Sequence, residues 1–472
     1  MFKVSESKFE KLEKELLLDR RNGFEKTEHK ENEAAFKFSE DYKKFLSECK
    51  TERECAFYFE EEAKKNGFKE LGEYKTLLPG DKFYIKNTEK AILIGVLGEK
   101  AISEGVCCIA AHIDSPRLDL KPNPLYEDSD IAYFKTHYYG GIKKFQWLTI
   151  PLAIHGVIVK KDGEKVRITI GEDENDPVFC ISDILPHLGN AQMSGEARKI
   201  IPGEKLNVII GSVPVDDEKV SKKVKLNVMM LLNEKYGITE KDFVSADIEV
   251  VPAYKARDIG IDRSLVGSYG HDDRVCAYTA FKAILEANAP QKTAICYLVD
   301  KEETGSSDST GMQSAFFGNI VALLAKMTDE NYDDVTARKA LMNSECLSAD
   351  VTAAYDPNFA EVFEANNSTY LNGGVALMKY SGARGKSGTS EAQAEFVEKI
   401  TSKLTKNGVI WQVGELGKVD EGGGGTVAQF FAILGMNVID CGVPLLSMHS
   451  PFEIASKFDI YMAYKAYLTF LR

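Results

Sequence analysis

What the chain lacks narrows it first. No apolar run approaches the roughly 18 residues of a membrane-spanning helix. The opening residues, Met1-Phe2-Lys3-Val4-Ser5-Glu6, lack the apolar core of a signal peptide. Basic residues are in deficit: 59 Lys and Arg stand against 72 Asp and Glu, a formal net charge of -13. That balance disfavours nucleic acid and anionic membranes as partners, since both need basic patches. The nine cysteines contain no Cys-x-x-Cys pair, and an odd count scattered through a large chain reads as reduced thiols. The expectation is a cytoplasmic protein. There is no internal repeat and no long linker of low complexity. No phosphate-binding loop is present either: Gly385-Lys386-Ser387 lacks the upstream glycines, and no Gly-Lys-Ser/Thr follows the glycines at 422–425.

What is present is enough for two or three domains, since 472 residues exceed the usual 150 or so per domain. Residues 1–75 are charged and periodic. Phe9, Leu12, Leu16 and Leu17, then Phe36, Phe38, Tyr42, Phe45 and Leu46, fall at helical spacings and predict surface helices packing one apolar face. Strands are expected at 91–97 and 105–111, the second running into His112-Ile113-Asp114. The texture then changes. Short β-rich runs at 147–159, 166–170 and 208–213 are punctuated by Gly140-Gly141, Asp162-Gly163 and Pro202-Gly203. Residues 118–248 therefore read as an inserted β-rich domain, within which 181–188 suggests a short helix carrying His187. From 249 onward strands and helices alternate again. The expected fold is α/β, a discontinuous domain of 1–117 and 249–472 interrupted by the insert.

The chemistry gathers at strand ends. The run 294–299 is apolar and ends in Asp300-Lys301-Glu302-Glu303-Thr304-Gly305. Ligands of open α/β sheets sit at such carboxyl ends. Adjacent glutamates resist desolvation unless a cation or a shared proton compensates. Taken alone, this pair reads as a solvated acidic loop, and an Asp before a helix, such as Asp272 or Asp273, is usually a cap. Five junctions, however, all expected on the same edge of one sheet, carry metal-type side chains: His112, Asp272, Glu302/Glu303, Asp350 and His449. Two imidazoles, a shared carboxylate and two further carboxylates suit a two-metal hydrolytic site. Mixed N/O donors fit Zn²⁺, with Mn²⁺ or Co²⁺ also compatible. Ions about 3.5–4 Å apart polarise a carbonyl and activate water, and a spare glutamate takes the proton. Asp114 is placed to hydrogen-bond the other nitrogen of His112. His271 reads as structural.

The ordered set resembles the aspartyl aminopeptidase family of binuclear zinc exopeptidases. It comprises His112-x-Asp114, Gly270-His271-Asp272-Asp273-Arg274, Glu302-Glu303-x-Gly305-Ser306, Ser348-Ala349-Asp350 and Ser447-Met448-His449-Ser450. The likeness runs from about residue 30 to the end. It implies that His112 and Asp350 bind one metal, Glu303 and His449 the other, with Asp272 bridging and Glu302 as general base. Asp272 is preferred to Asp273 as the bridge because relatives with one aspartate keep the first position. Asp273 then supports the site or caps the helix. The resemblance further implies a phosphorylase/hydrolase-like mixed-sheet catalytic domain. It also implies an insert that mediates assembly of dimers into a tetrahedral dodecamer.

These readings predict an aminopeptidase acting on peptides. A two-metal deacylase or carboxypeptidase on the same scaffold is the enzymatic alternative, and a catalytically idle binding protein the non-enzymatic one; the latter predicts a gap in the site, and none is seen. The family suggests N-terminal Asp or Glu as substrate, which needs a cation in the pocket. Lys379, Arg384 and Lys386 are the candidates, unless they form a solvated basic loop; neutral first residues remain open. The glycines at 422–425 allow close backbone approach to a substrate, or form a flexible turn. His187, in an apolar stretch, is expected to reach a neighbouring subunit's active site; the alternative is a core histidine bonded to its own backbone.

Overall fold

The computed structural model describes residues 7–472; the signal-peptide reading of residues 1–6 lies outside them. At its centre is a nine-stranded mixed sheet. Strand Thr293–Val299 shows how sequence dictates its layers. All seven of its residues are buried, as in a central parallel strand covered on both faces. Alternate side chains point opposite ways: Ala294, Cys296 and Leu298 join one core, Ile295, Tyr297 and Val299 the other. Helices His29–Glu48, His271–Leu285 and Lys457–Leu471 pack on the first face, Phe316–Thr328 and Ala428–Ile433 on the second. The layered α/β architecture expected from the sequence is present.

Four central strands, Thr293–Val299, Val106–His112, Glu345–Ser348 and Asn437–Gly442, are successively parallel, so their carboxyl ends share one edge. His112, Glu302/Glu303 and Asp350 follow three of these ends. Asp272 and His449 do not belong to that edge. They hang from a separate five-stranded sheet that contains Leu265–Ser268, Pro444–Leu446 and Glu453–Ser456. The expectation of five junctions on one sheet is corrected accordingly: an apolar run predicts a strand but not its pairing partner.

A third, six-stranded antiparallel sheet is built from Lys165–Ile170, Leu152–Val159, Ala246–Pro252, Arg117–Asp128, Ile131–Tyr139 and Asn207–Gly211. It has its own core around Trp147, Leu152, Phe134 and Val250. The strand Ala246–Pro252 crosses the boundary expected at 248. The sheet is joined to helix Glu52–Lys65 through buried His155, whose Nδ1 lies 2.7 Å from Glu54 Oε1 and whose Nε2 lies 2.9 Å from Glu172 Oε1.

Two local expectations fail. Residues 181–188 are not a helix; only Pro186–Leu188 form a 3-10 turn, because proline holds the preceding Leu185 in extended backbone. Helix Lys8–Leu16 buries none of its residues, and Phe9 and Leu16 remain exposed, so its apolar stripe is not packed into a core. No helix among the described residues is long and apolar enough to cross a membrane.

Candidate metal centre

His112 ends its strand with its side chain almost wholly buried. Its Nδ1–H is directed at the backbone oxygen of Asp114, 3.0 Å away, with the Asp114 carboxylate at 3.3 Å. Nε2 is the nitrogen that would give its lone pair to a metal; it faces Asp272 Oδ1 at 3.1 Å, Glu302 Oε2 at 3.8 Å and Asp350 Oδ1 at 4.0 Å. His449 repeats the arrangement. Its Nδ1–H donates to the Gly141 carbonyl at 2.9 Å, and Nε2 faces Asp272 Oδ2 at 3.1 Å and Glu303 Oε2 at 3.6 Å. Asp272 thus turns one oxygen to each imidazole.

The backbone around these groups is held by further carboxylates. After Val299 the chain turns through Lys301, at φ 71°, into the short helix Glu302–Thr304. The amides of Glu302 and Glu303 donate to the two oxygens of Asp114, each at 3.2 Å. Buried Glu453 accepts from the amides of Asp272 at 3.0 Å and His449 at 2.7 Å. Asp273, joined to Asp272 by a cis peptide, accepts the His112 amide through Oδ2 at 3.3 Å and caps no helix.

Electrostatics show what the cluster needs. Burial, then the charges of Asp114 and Asp272, push the Glu302 carboxyl up to about 7 against the pull of His112. Burial also raises Glu303, Asp350 and Asp273 well above the carboxylate range. Asp272 moves the other way: burial is outweighed by the two imidazoles, and it stays ionised. Buried Glu303 Oε1 and Asp273 Oδ1 have no hydrogen-bond partner. Buried acceptors of this kind call for a cation.

The donor set fits divalent metal. Two donors each about 2.1 Å from a tetrahedral ion stand roughly 3.4 Å apart, close to the spacings around both Nε2 atoms. Among the described residues, three overlapping triads bring donor atoms within 4.8 Å: His112/Glu302/Asp350, His112/Asp272/Glu303 and Asp272/Asp273/Asp350. Glu302 and Asp273 therefore also stand within ligand range.

His271 faces elsewhere. Its Nδ1 accepts from Tyr42 and its Nε2–H donates to the Val266 carbonyl; burial depresses it to about 3. His187 is exposed on its turn and outside the cavity, which excludes the core-histidine alternative. Lys379, Arg384 and Lys386 also lie outside it. Lys379 and Lys386 pair with Glu391 at 3.6 and 3.0 Å, and Arg384 sits at φ 49° in the same loop. The cavity, about 420 Å³, is walled by Met378, Leu416, Phe430 and Met448 and by glycines 423–425. Sequence reasoning missed Glu453, Tyr139 and Gly141; only the Gly-Gly pair at 140–141 carried a signal, and it read as a turn.

Imidazoles and carboxylates converging over a cavity beside a mixed α/β sheet define a metal-dependent hydrolase. Comparison with known proteins narrows the class. The family described as aminopeptidase I zinc metalloprotease (M18) matches residues 45–471. Over 461 residues the chain is 52% identical to a probable M18 family aminopeptidase 1 of Clostridium acetobutylicum, covering 97% of this chain and 99% of that one. The crystal structure of an M18-family aminopeptidase from Thermotoga maritima superposes with a TM-score of 0.92 at 46% identity, covering 97% of this chain and 100% of that one. The yeast mApe1 dodecamer shares the fold, with a TM-score of 0.75 at 21% identity, covering 94% of this chain and 97% of that one. The chain belongs to the M18 family, as its ordered motifs suggested, and is a metallo-aminopeptidase that hydrolyses peptide bonds.

Proposed function

We propose that the chain releases the N-terminal residue of peptides at a two-metal centre. His112 and Asp350 hold one ion and Glu303 and His449 the other, with Asp272 between them. The observation that carries this is the double approach of Asp272, 3.1 Å from each histidine Nε2. Divalent ions, Zn²⁺ first and Co²⁺ or Mn²⁺ as substitutes, would supply Lewis-acid activation of the scissile carbonyl and of water. Glu302 takes the proton of the attacking water and passes it to the leaving amine. Asp114 orients His112 and fixes the turn bearing both glutamates, and Asp273 supports the His112 backbone.

The resemblance implies Asp or Glu as the residue released. A second reading, release of neutral residues, is favoured by the cavity wall. Met378, Leu416, Phe430 and Met448 offer apolar surface, and no Lys or Arg lines the cavity among the described residues. A buried carboxylate without a cation is costly there. Metal-reconstituted protein assayed on dipeptides differing only in the first residue tests both points. Faster hydrolysis of Leu or Met than of Asp or Glu supports the neutral reading, the reverse order restores the acidic one, and cleavage only of N-acylated substrates removes the aminopeptidase.

The six-stranded unit is proposed to mediate assembly into dimers and a dodecamer. Exposed Ile184, Leu185, Leu188 and Met193 around His187 support an interface, and a yeast relative of the same fold is a dodecamer. His187 then reaches a neighbouring active site and donates to the developing oxyanion. A cytoplasmic location agrees with nine free cysteines.

A further inference from the structure

The strand Ile131–Tyr139 belongs to the six-stranded sheet, yet its end and the two residues after it touch the metal centre. Tyr139 donates its hydroxyl to Asp114 Oδ2 at 2.7 Å. Its ring lies under the Arg117 guanidinium, 4.0 Å from the centroid, and the Lys301 ammonium at 5.1 Å. Gly140, at φ 72°, backs onto Glu303: a Cβ there would come within 3.1 Å of Glu303 Oε2 and 3.3 Å of its Cβ. Gly141 offers its carbonyl to His449 Nδ1, and a Cβ on it would stand 3.3 Å from that nitrogen.

We infer that Tyr139, Gly140 and Gly141 are positioning residues for the metal ligands, so that the six-stranded unit completes the centre of its own chain as well as serving assembly. The inference rests on the two-metal reading above. Each contact governs a different group. The Gly141 carbonyl fixes the His449 tautomer with its proton on Nδ1, which presents Nε2 as the donor. Gly140 sets how closely the backbone approaches Glu303. The Tyr139 hydroxyl completes Asp114, whose Oδ2 otherwise accepts only the Glu303 amide and whose Oδ1 takes the Glu302 amide beside His112. A buried carboxylate with a missing donor relaxes toward other partners, and here that movement carries the turn bearing Glu302 and Glu303 with it.

Tyr139→Phe keeps the ring and removes one hydroxyl; Gly140→Ala adds one methyl against Glu303. Zinc affinity, measured by competition with a chromophoric chelator, is expected to fall about 10–100-fold in each, the usual effect of removing a group that orients a ligand. The visible absorption of the Co²⁺-substituted variants is expected to shift from that of the parent. The metal-free Tyr139→Phe protein is expected to melt somewhat below the metal-free parent, since buried Asp114 loses a donor, so the affinity and the spectrum carry the decision. Parent affinity and an unchanged Co²⁺ spectrum in Tyr139→Phe overturn the inference, as does a lowered metal-free melting point with parent affinity, which marks a merely structural role. Should Gly140→Ala fail to fold, Tyr139→Phe decides alone. The parent is titrated alongside: failure of the parent to bind two ions removes the two-metal reading itself, whereas normal parent binding with unaffected variants removes only this inference.

Discussion

The backbone amide of Asp272 donates to the side chain of Glu453, 181 residues further along the chain, at 3.0 Å. The other oxygen of Glu453 accepts the amide of His449. One buried carboxylate thus sets the relative position of Asp272 and His449. Glu453→Gln retains one acceptor and replaces the other by a donor, which faces an amide N–H. Its metal content after dialysis against a weak chelator is expected to drop, with affinity lower by about 10–100-fold. Parent-like retention would show that the two backbones hold themselves.

The neighbouring glutamates are expected to separate by function. Glu302→Gln keeps the shape and removes the base, so kcat falls by roughly two to four orders of magnitude while both ions remain bound. Glu303→Gln loses metal. Atomic emission on the two purified variants checks this, and the opposite pattern of metal loss exchanges their roles.

Subunit exchange tests His187. Inactive Glu302→Gln and His187→Ala proteins, dissociated and reassembled together, are expected to regain activity, because some sites then combine an intact Glu302 with a neighbour's intact His187. A loss of one oxyanion donor costs about 2.7–4 kcal/mol in comparable enzymes, enough to make the single variant nearly silent. Inactive mixtures with proven exchange, or full activity of His187→Ala alone, remove the cross-subunit role.

Stability is expected to depend on pH through His155. Burial disfavours its charged form, but Glu172 and Glu54 outweigh burial and raise it from 6.5 to about 9. A group whose pKa rises on folding stabilises fully below its unfolded value, and the gain disappears as pH rises through the folded value. The contribution, on the order of 1–3 kcal/mol, is therefore present below about pH 6.5 and lost toward pH 9. Melting temperatures of the parent and His155→Gln, followed from pH 6 to pH 10, are expected to converge at the alkaline end. A constant gap would assign His155 a packing role only.

The ends of Val106–His112, Thr293–Val299 and Glu345–Ser348 were legible because an apolar run gives way there to charged or imidazole side chains. The same logic could not reveal that Leu265–Ser268 and Pro444–Leu446 pair in a different sheet from Thr293–Val299. Pairing is a choice among distant partners that no local pattern encodes. The hairpin Arg117–Asp128 and Ile131–Tyr139 escaped notice because Pro122 and Pro124 break its alternation, where the register shifts between Leu120 and Leu125. Gly141 acts on His449 through its carbonyl, across 308 residues; every residue type has that carbonyl, so composition is silent about it.

The place of strand Thr293–Val299 also orders events in time. It lies between Ala91–Val96 and Val106–His112, strands that are close in sequence yet do not pair with each other. A newly collapsed chain must hold that slot open until a segment synthesised long afterwards arrives, which makes closure of the central sheet a slow, non-local step. The six-stranded sheet waits less long: Arg117–Asp128 with Ile131–Tyr139 and Leu152–Val159 with Lys165–Ile170 pair as local hairpins, and only then does the later strand Ala246–Pro252 enter between them. In pulse-labelled hydrogen exchange during refolding, amides of Leu152–Val159 should gain protection before those of Thr293–Val299.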